Sequence, residues 1–177
     1  MKKASRLLEL YVLSKKTGEK IASIKDIIYS KHKQRILGFI VKENNIFKGN
    51  KVIRFKNIKA FGDDVLMVKD KKSIERTESI PEIFNIIKEG NDIIGEEVLC
   101  EDGESLGYIK DVIYEEKKGK ILAFLLTDGV IQDVIDGRNI LPNIKGIKFL
   151  DKSLVIDKKI KDDFTKNKEE FKKLLEL

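Results

Sequence analysis

The chain has 177 residues, of which 41% are apolar and 37% are charged, and its net charge is +6. That length allows one or two domains with ordinary hydrophobic cores. No apolar run approaches the ~18 residues of a membrane-spanning helix, Glu9 interrupts the apolar stretch near the start, and the single cysteine, Cys100, excludes an internal disulfide. A signal peptide is not expected, and the composition predicts a cytoplasmic protein, or one at the cytoplasmic face of a membrane.

The first 72 residues show short strand patterns separated by polar turns. The apolar spacing of residues 20–29 also suits a helix, but this segment follows a Gly turn and is rich in β-branched residues, which favours a strand. Residues 36–41 form a continuous apolar run, which indicates a buried central strand. The predicted strands of this half are 10–13, 20–29, 36–41, 52–55, 58–61 and 65–68.

A short helix is predicted between the two halves, over residues 79–90. Ser79 suits the N-cap, Pro81 and Glu82 suit the first turn, and Gly90 suits the C-terminal cap. The apolar face of this helix consists of Ile80, Ile83, Ile86 and Ile87. We interpret the helix as the linker between two domains.

The second half repeats the first at an offset of 85 residues. Residues 18–41 and 103–126 are identical at 11 of 24 positions, and four of the other 13 exchange one aliphatic residue for another. Such an internal repeat indicates that one structural unit occurs twice. The predicted strands of this half are 98–99, 106–114, 121–127, 139–141, 143–145 and 154–156.

A second helix is predicted at the end of the chain, over residues 160–177. Its polar face is rich in Lys, Asp and Glu, and its apolar stripe consists of Ile160, Phe164, Phe171, Leu174 and Leu175. We expect the stripe to pack on the adjacent β-structure, and the alternative is a dimer or partner surface.

The number of short strands and Gly-bearing turns is typical of small barrels or sandwiches. Closure is the usual way for a small sheet to remove its edges. The sequence therefore predicts a mainly β protein with two tandem small β-barrels, a short helical linker and a C-terminal amphipathic helix.

The two halves differ in charge. Residues 1–72 contain 19 Lys and Arg against 7 Asp and Glu, whereas residues 91–157 contain 8 against 14. This asymmetry points to an anionic partner for the first half. The alternative is a genome-wide composition bias, since Lys and Ile are both abundant.

A catalytic constellation is not found in the sequence. His32 lies in a Lys-rich turn, and Cys100 is followed by two acidic residues, so neither is expected to act as a base or a nucleophile. Asp26 and Asp111 occupy equivalent positions of the repeat, which favours a structural role as hydrogen-bond acceptors. We therefore predict a protein that is not an enzyme and has no catalytic residue, no metal and no cofactor.

The loops that follow the two apolar strands are the predicted interaction surface. They combine apolar residues with charged ones, a pattern typical of interaction sites. The alternative is that they cover a barrel end or the seam between barrels. The candidate residues are Ile46, Phe47, Lys48, Lys51, Arg54, Lys56, Val130, Ile131, Val134, Ile135 and Arg138.

The repeated segments, residues 18–27 and 102–112, resemble the opening of a PRC-barrel domain. This small β-barrel is found in the photosynthetic reaction centre H subunit and in the C-terminal domain of RimM-type ribosome maturation factors. Residues 52–64 are similar to the closing hairpin of the family, and residues 140–145 are a weaker copy of it. The first copy departs from the pattern with Ala22 where the second has Gly107.

The resemblance implies a domain order along the chain: a basic PRC-like barrel at 1–72, a helical linker at 73–90, an acidic PRC-like barrel at 91–158, and a helix at 159–177. It also implies a binding or adaptor protein whose macromolecular partner is a protein or ribonucleoprotein, linked to RNA metabolism or ribosome-associated assembly. Three alternatives stay open: contact of the basic barrel with RNA itself, docking on an anionic membrane or membrane complex, and homo-oligomerisation of basic on acidic barrels.

Overall fold

The computed structural model describes residues 1–43, 50–90, 92–127 and 139–166. Within these ranges the chain is mainly β and forms two sheets of seven strands each. The described residues divide into two compact units. The first unit comprises residues 4–90 and 116–120, and the second comprises residues 1–3, 92–115 and 121–166.

The helices and strands have the following bounds in chain order. The strands are β1 Lys2–Lys3, β2 Tyr11–Ser14, β3 Lys20–Ser30, β4 Arg35–Lys42, β5 Lys51–Arg54, β6 Ile58–Phe61, β7 Val65–Val68, β8 Glu75–Arg76, β9 Glu97–Cys100, β10 Ser105–Tyr114, β11 Ile121–Thr127, β12 Asn139–Pro142, β13 Lys148–Phe149 and β14 Ser153–Ile156. The α-helices are α1 Pro81–Glu89 and α2 Lys158–Lys166. Short 3-10 turns occupy Ala4–Glu9, Phe55–Asn57, Lys71–Ser73 and Thr77–Ser79.

The sheet of the first unit has the strand order β6-β7-β2-β3-β4-β5-β8. Its strands pair antiparallel except β2 and β7, which are parallel. Apolar residues of the strands form the core, and α1 covers part of the sheet by packing Ile83 against Ile28 and Val52. Core residues that are almost fully buried include Val12, Phe39, Ile53 and Leu66.

The sheet of the second unit repeats this arrangement in the order β12-β11-β10-β9-β14-β13, with a parallel pair formed by β9 and β14. The short strand β1 pairs with the far end of β10, where Lys2 lies opposite Tyr114 and Lys3 opposite Ile113. The most deeply buried residues include Val98, Val112, Phe124, Leu141 and Leu154.

The predicted mainly β fold and the helix between the two halves are confirmed, and two details of the sequence analysis are wrong. Ser79 does not cap α1: Ile80 holds that position, and the Ser79 hydroxyl donates to the Arg76 carbonyl oxygen at 2.6 Å. Residues 143–145 are not a strand, because β12 ends at Pro142 and the chain turns, with the Ile144 amide donating to the Pro142 carbonyl oxygen at 3.1 Å.

The predicted domain bounds and the extent of the second helix stay predictions, and residues 167–177, including Phe171, Leu174 and Leu175, lie outside the described residues. The described helices are too short and too polar to cross a membrane.

The recurrent aspartates mark a β-bulge in the long strand of each unit. The register between β3 and β4 skips Lys25, and that between β10 and β11 skips Lys110. At each bulge the following aspartate accepts a hydrogen bond from the next backbone amide, Asp26 from Ile27 and Asp111 from Val112, both at 2.8 Å. The carboxylate replaces a ladder bond that the bulge interrupts, which explains the recurrence structurally.

Removing these two carboxylates tests the bulge assignment. We expect Asp111→Ala to lower the free energy of unfolding by about 1–2 kcal/mol, and Asp26→Ala by about 0.5–1 kcal/mol. The difference arises because the hydrogen bond from the Val112 amide to Asp111 is buried whereas that from the Ile27 amide to Asp26 is only partly buried, so loss of the acceptor costs more in the second unit. Urea denaturation followed by far-UV circular dichroism measures both, and Asp111→Asn, which keeps the acceptor oxygen, is the control. Equal losses at the two positions would contradict this interpretation.

Helix α2 is attached to the second unit by an ion cluster and a buried isoleucine. Asp157 accepts a hydrogen bond from the Ile160 amide at 2.8 Å, and the Ile160 side chain is buried. The Lys161 ammonium contacts the Asp102 carboxylate at 3.0 Å and also the Glu104 carboxylate. The hydrogen bond from Lys161, with a second from the Glu104 amide, lowers the pKa of Asp102 to about 2. The Glu104 and Asp102 carboxylates raise the pKa of Lys161.

The cluster makes the attachment of α2 depend on pH. Since the pKa of Asp102 is depressed from 3.8 to about 2 on folding, its contribution is present above pH 3.8 and is lost as the pH falls towards 2. In the Lys161→Met variant, we expect the backbone amides of α2 to exchange with deuterium faster than in the wild type at neutral pH. The difference in exchange rate should shrink as the pH falls from 3.8 towards 2. A difference that stays constant down to pH 2 would contradict a role of the ion cluster.

Candidate functional site: a basic cleft in the first unit

A cleft of about 380 Å³ opens in the first unit. This volume lies within the roughly 300–1,000 Å³ of ordinary ligand pockets. Five cationic side chains and one acidic side chain line it, together with four apolar residues. The charged residues are Arg35, Lys56, Lys59, Lys117, Lys118 and Glu116, and the apolar residues are Phe55, Ile58, Ala60 and Phe61. An excess of cationic over acidic side chains favours an anionic ligand.

The floor of the cleft is aromatic and rests on the core. Phe55 is 6% exposed, and its ring lies 6.1 Å from the buried Phe39 ring and 5.9 Å from the half-buried Phe61 ring. Gly119 closes over Phe55: a Cβ at this position would lie 3.0 Å from the Cζ atom of the ring. Gly119 also has a φ of +68°, a conformation that favours glycine. The floor is therefore preformed by packing.

One wall of the cleft is the turn at residues 116–120. The Gly119 carbonyl oxygen accepts a hydrogen bond from the Ile36 amide at 2.8 Å. The Arg35 guanidinium donates to the Lys118 carbonyl oxygen. These bonds hold Lys117 and Lys118 beside the start of β4, although they lie far from β4 in sequence. Both lysine side chains are exposed to solvent.

Strand β6 and the turn that precedes it also line the cleft. All four residues of β6 line the cleft, and Lys56 lies just before them. Successive side chains of a strand point to opposite faces of a sheet. A cleft lined by four consecutive residues therefore runs along the edge of β6. In the described part of the chain, β6 pairs with β7 alone.

The structure brings only one of the predicted surface residues into this cleft, Lys56. Arg54 is instead paired with Glu75 at 2.6 Å, and Lys51 lies half-buried on β5, opposite Val41 and Arg76. The other predicted residues lie outside the described residues, so the surface as a whole stays a prediction. They are Ile46, Phe47, Lys48, Val130, Ile131, Val134, Ile135 and Arg138.

Sequence reasoning missed most of the cleft. A usable signal was present in residues 55–61, where two phenylalanines flank Lys56 and Lys59, since basic residues interleaved with aromatic ones are typical of anion-binding surfaces. No local signal assigned residues 116–118, because they belong to the second repeat in sequence and to the first unit in space.

The other candidates for chemistry do not assemble into a site in the described ranges. His32 is an exposed turn residue, and Cys100 is a buried thiol at the end of β9. Within the described residues, no three His, Cys, Asp or Glu side chains are grouped so as to hold a metal ion. The basic cleft is thus one feature of the described structure that is suited to binding.

The chain was compared with known protein families. The model described as PRC-barrel domain matches twice, at residues 1–74 and 86–162. No curated protein matches the chain. Domains of this family are generally non-catalytic and typically mediate protein interactions. Because the two matches together cover most of the sequence, the chain belongs to the PRC-barrel domain family and carries two such domains in tandem.

Proposed function

We propose that the protein is a non-enzymatic adaptor that binds an anionic macromolecular partner through the basic cleft of its first unit, in RNA metabolism or ribosome-associated assembly. The observation that carries the proposal is the convergence of Arg35, Lys56, Lys59, Lys117 and Lys118 on one cleft with a rigid aromatic floor. The connection to ribosome-associated assembly comes from the resemblance to ribosome maturation factors.

The charge of the first unit supports the proposal. Its described residues, 4–43, 50–90 and 116–120, contain 21 Lys and Arg against 12 Asp and Glu. A surface of this sign concentrates anionic partners and accelerates their association, and the effect weakens with salt.

Affinity capture from an extract of the source cells tests the proposal. The wild-type chain is compared with Lys56→Glu/Lys59→Glu, which reverses the charge of one cleft wall, and with Lys15→Glu/Lys16→Glu, which reverses two exposed lysines that do not line the cleft. We expect the cleft variant to lose partners that the control variant retains, and the retained partners to elute as salt is raised.

Two further measurements distinguish direct protein binding from binding through RNA or to a membrane. Nuclease treatment separates partners bridged by RNA from those bound directly, and sedimentation with anionic lipid vesicles measures membrane docking. If the two variants capture the same partners as the wild type, the cleft is not the binding site and the proposal fails. Retention on anionic vesicles alone would assign the protein to a membrane surface instead.

A further inference from the structure

We infer that the cleft binds an extended acidic peptide segment of a protein partner, which adds to the sheet as a strand beside β6. This inference rests on the proposed function, because it names the partner class of the same site. The two observations behind it are the edge position of β6 and the cationic lining of the cleft.

Strand β6 lies at an edge of the described sheet. In the described residues this strand pairs with β7 alone, with Ala60 opposite Met67 and Phe61 opposite Leu66. The backbone groups of successive residues point alternately to the two edges of a strand. Since the Gly62 amide donates to the Val65 carbonyl oxygen on the β7 side, the backbone donor and acceptor of Phe61 lie on the outer edge of β6. An added strand would lie about 4.8 Å away, which is the spacing of neighbouring strands. Addition of a strand to an exposed edge is an established mode of peptide recognition.

The lysines around β6 favour an acidic strand over an apolar or basic one. Lys59 lies on the edge strand itself, and a lysine there disfavours pairing with apolar or basic strands. Lys56 precedes the strand, and Lys117 and Lys118 line the same cleft. A peptide with acidic residues would bring its carboxylates into a cleft lined by these cations. The same lysines that protect the edge from unspecific pairing thus select an acidic strand.

The cleft fits an extended peptide better than single-stranded RNA. Sequence-tolerant RNA sites offer aromatic faces on which bases stack. Here the Phe55 ring is 6% exposed and is covered by Gly119, so the half-buried Phe61 ring is the one aromatic residue of the cleft lining left for stacking, and a single ring does not form a platform for successive bases. The edge of β6 instead offers alternating backbone donors and acceptors, which match a peptide backbone. The geometry therefore favours a peptide over RNA.

The test uses the 177-residue chain and three fluorescent probes. The first probe is an acidic peptide of alternating Glu and Val, the second is the same peptide N-methylated at every residue, and the third is oligouridylate. N-methylation removes the backbone donors and keeps the charge, so it distinguishes strand addition from simple attraction. Fluorescence anisotropy measures binding, and hydrogen exchange measures how far the bound probe protects the backbone amides of β6.

The expected result has three parts. The acidic peptide binds and slows exchange at the outward-facing amide of Phe61. N-methylation weakens binding by about tenfold or more, since the edge hydrogen bonds are lost. Lys56→Glu/Lys59→Glu weakens binding by about tenfold, whereas Lys15→Glu/Lys16→Glu changes it by less than about twofold.

Three results would overturn the inference. Equal binding of the N-methylated peptide would show that only charge is recognised. Binding of oligouridylate to the wild type but not to the cleft variant, without peptide binding, would assign the cleft to RNA and leave the proposed function standing. Failure of both probes, together with capture that does not depend on the cleft, would overturn the inference and the proposed function alike.

Discussion

The Phe39→Ala variant is expected to lose about 3–5 kcal/mol of the free energy of unfolding. Phe39 is fully buried in β4, at the centre of the first unit, and its ring contacts Phe55 at a centroid distance of 6.1 Å. Truncation would remove a large apolar surface and leave a cavity that the flanking strands cannot fill without moving. Since domains are typically stable by about 5–15 kcal/mol, this is a large part of the total.

The same substitution would also damage the cleft, because Phe39 supports the ring that forms its floor. We expect Phe39→Ala to bind the acidic peptide more weakly even under conditions in which the variant stays folded. Urea denaturation followed by far-UV circular dichroism gives the stability, and anisotropy gives the affinity. Phe39→Leu is the control and should lose only about 1 kcal/mol, since it fills most of the volume. If the free energy of unfolding of Phe39→Ala lies within about 1 kcal/mol of the wild-type value, the neighbouring side chains fill the cavity and the prediction is wrong.

The equivalent residue of the second unit shows why the two repeats share a core but not a site. Phe124 corresponds to Phe39 in the repeat and contacts Phe149 at 5.8 Å, in an edge-to-face arrangement. The position of Phe55, directly after β5, is held in the second unit by Asn143, directly after β12. The aromatic residue that closes the floor of the cleft is therefore specific to the first unit.

Local sequence patterns predicted the elements that depend on local chemistry. The apolar run at 36–41 became the buried strand β4, and the Pro81 and Gly90 signals correctly delimited α1. Burial of alternating residues and the geometry of proline and glycine act over a few residues, so they are readable from the chain. The repeat then extended the same interpretation to the second half.

Long-range pairing was not predicted, and the candidate site depends on it. The turn at residues 116–120 packs with Arg35, Ile36 and Phe55, more than 50 residues away in sequence. Strand β1 likewise pairs with Tyr114 and Ile113 at the far end of β10. Neither pairing has a local signature, because the apolar or polar pattern of a two-residue strand or a turn is the same whatever it contacts. The sequence therefore shows the basic residues of the cleft, but it does not predict that they line the same cleft.

Gly38→Ala should destabilise the protein by about 2–3 kcal/mol, although it adds a single methyl group. Gly38 lies on β4 opposite Arg54 of β5, and a Cβ at this position would lie 2.5 Å from the Ile53 carbonyl oxygen and 3.2 Å from the Arg54 Cα. Both neighbours are backbone atoms of a paired strand, so β5 would have to shift as a whole. Phe55 follows β5 directly, and the shift would therefore reach the floor of the cleft.

The second unit supplies the control for this prediction, because Ala123 occupies the equivalent position of β11 and is 2% exposed. There the space for a Cβ exists, and Ala123→Gly should lose only about 0.5–1 kcal/mol, the usual effect of glycine within a strand. Urea denaturation of the two variants gives the comparison, and hydrogen exchange of β5 amides reports the displacement. A Gly38→Ala variant as stable as the wild type would show that β4 and β5 separate without loss, and that close approach of the two backbones is not what requires glycine at this position.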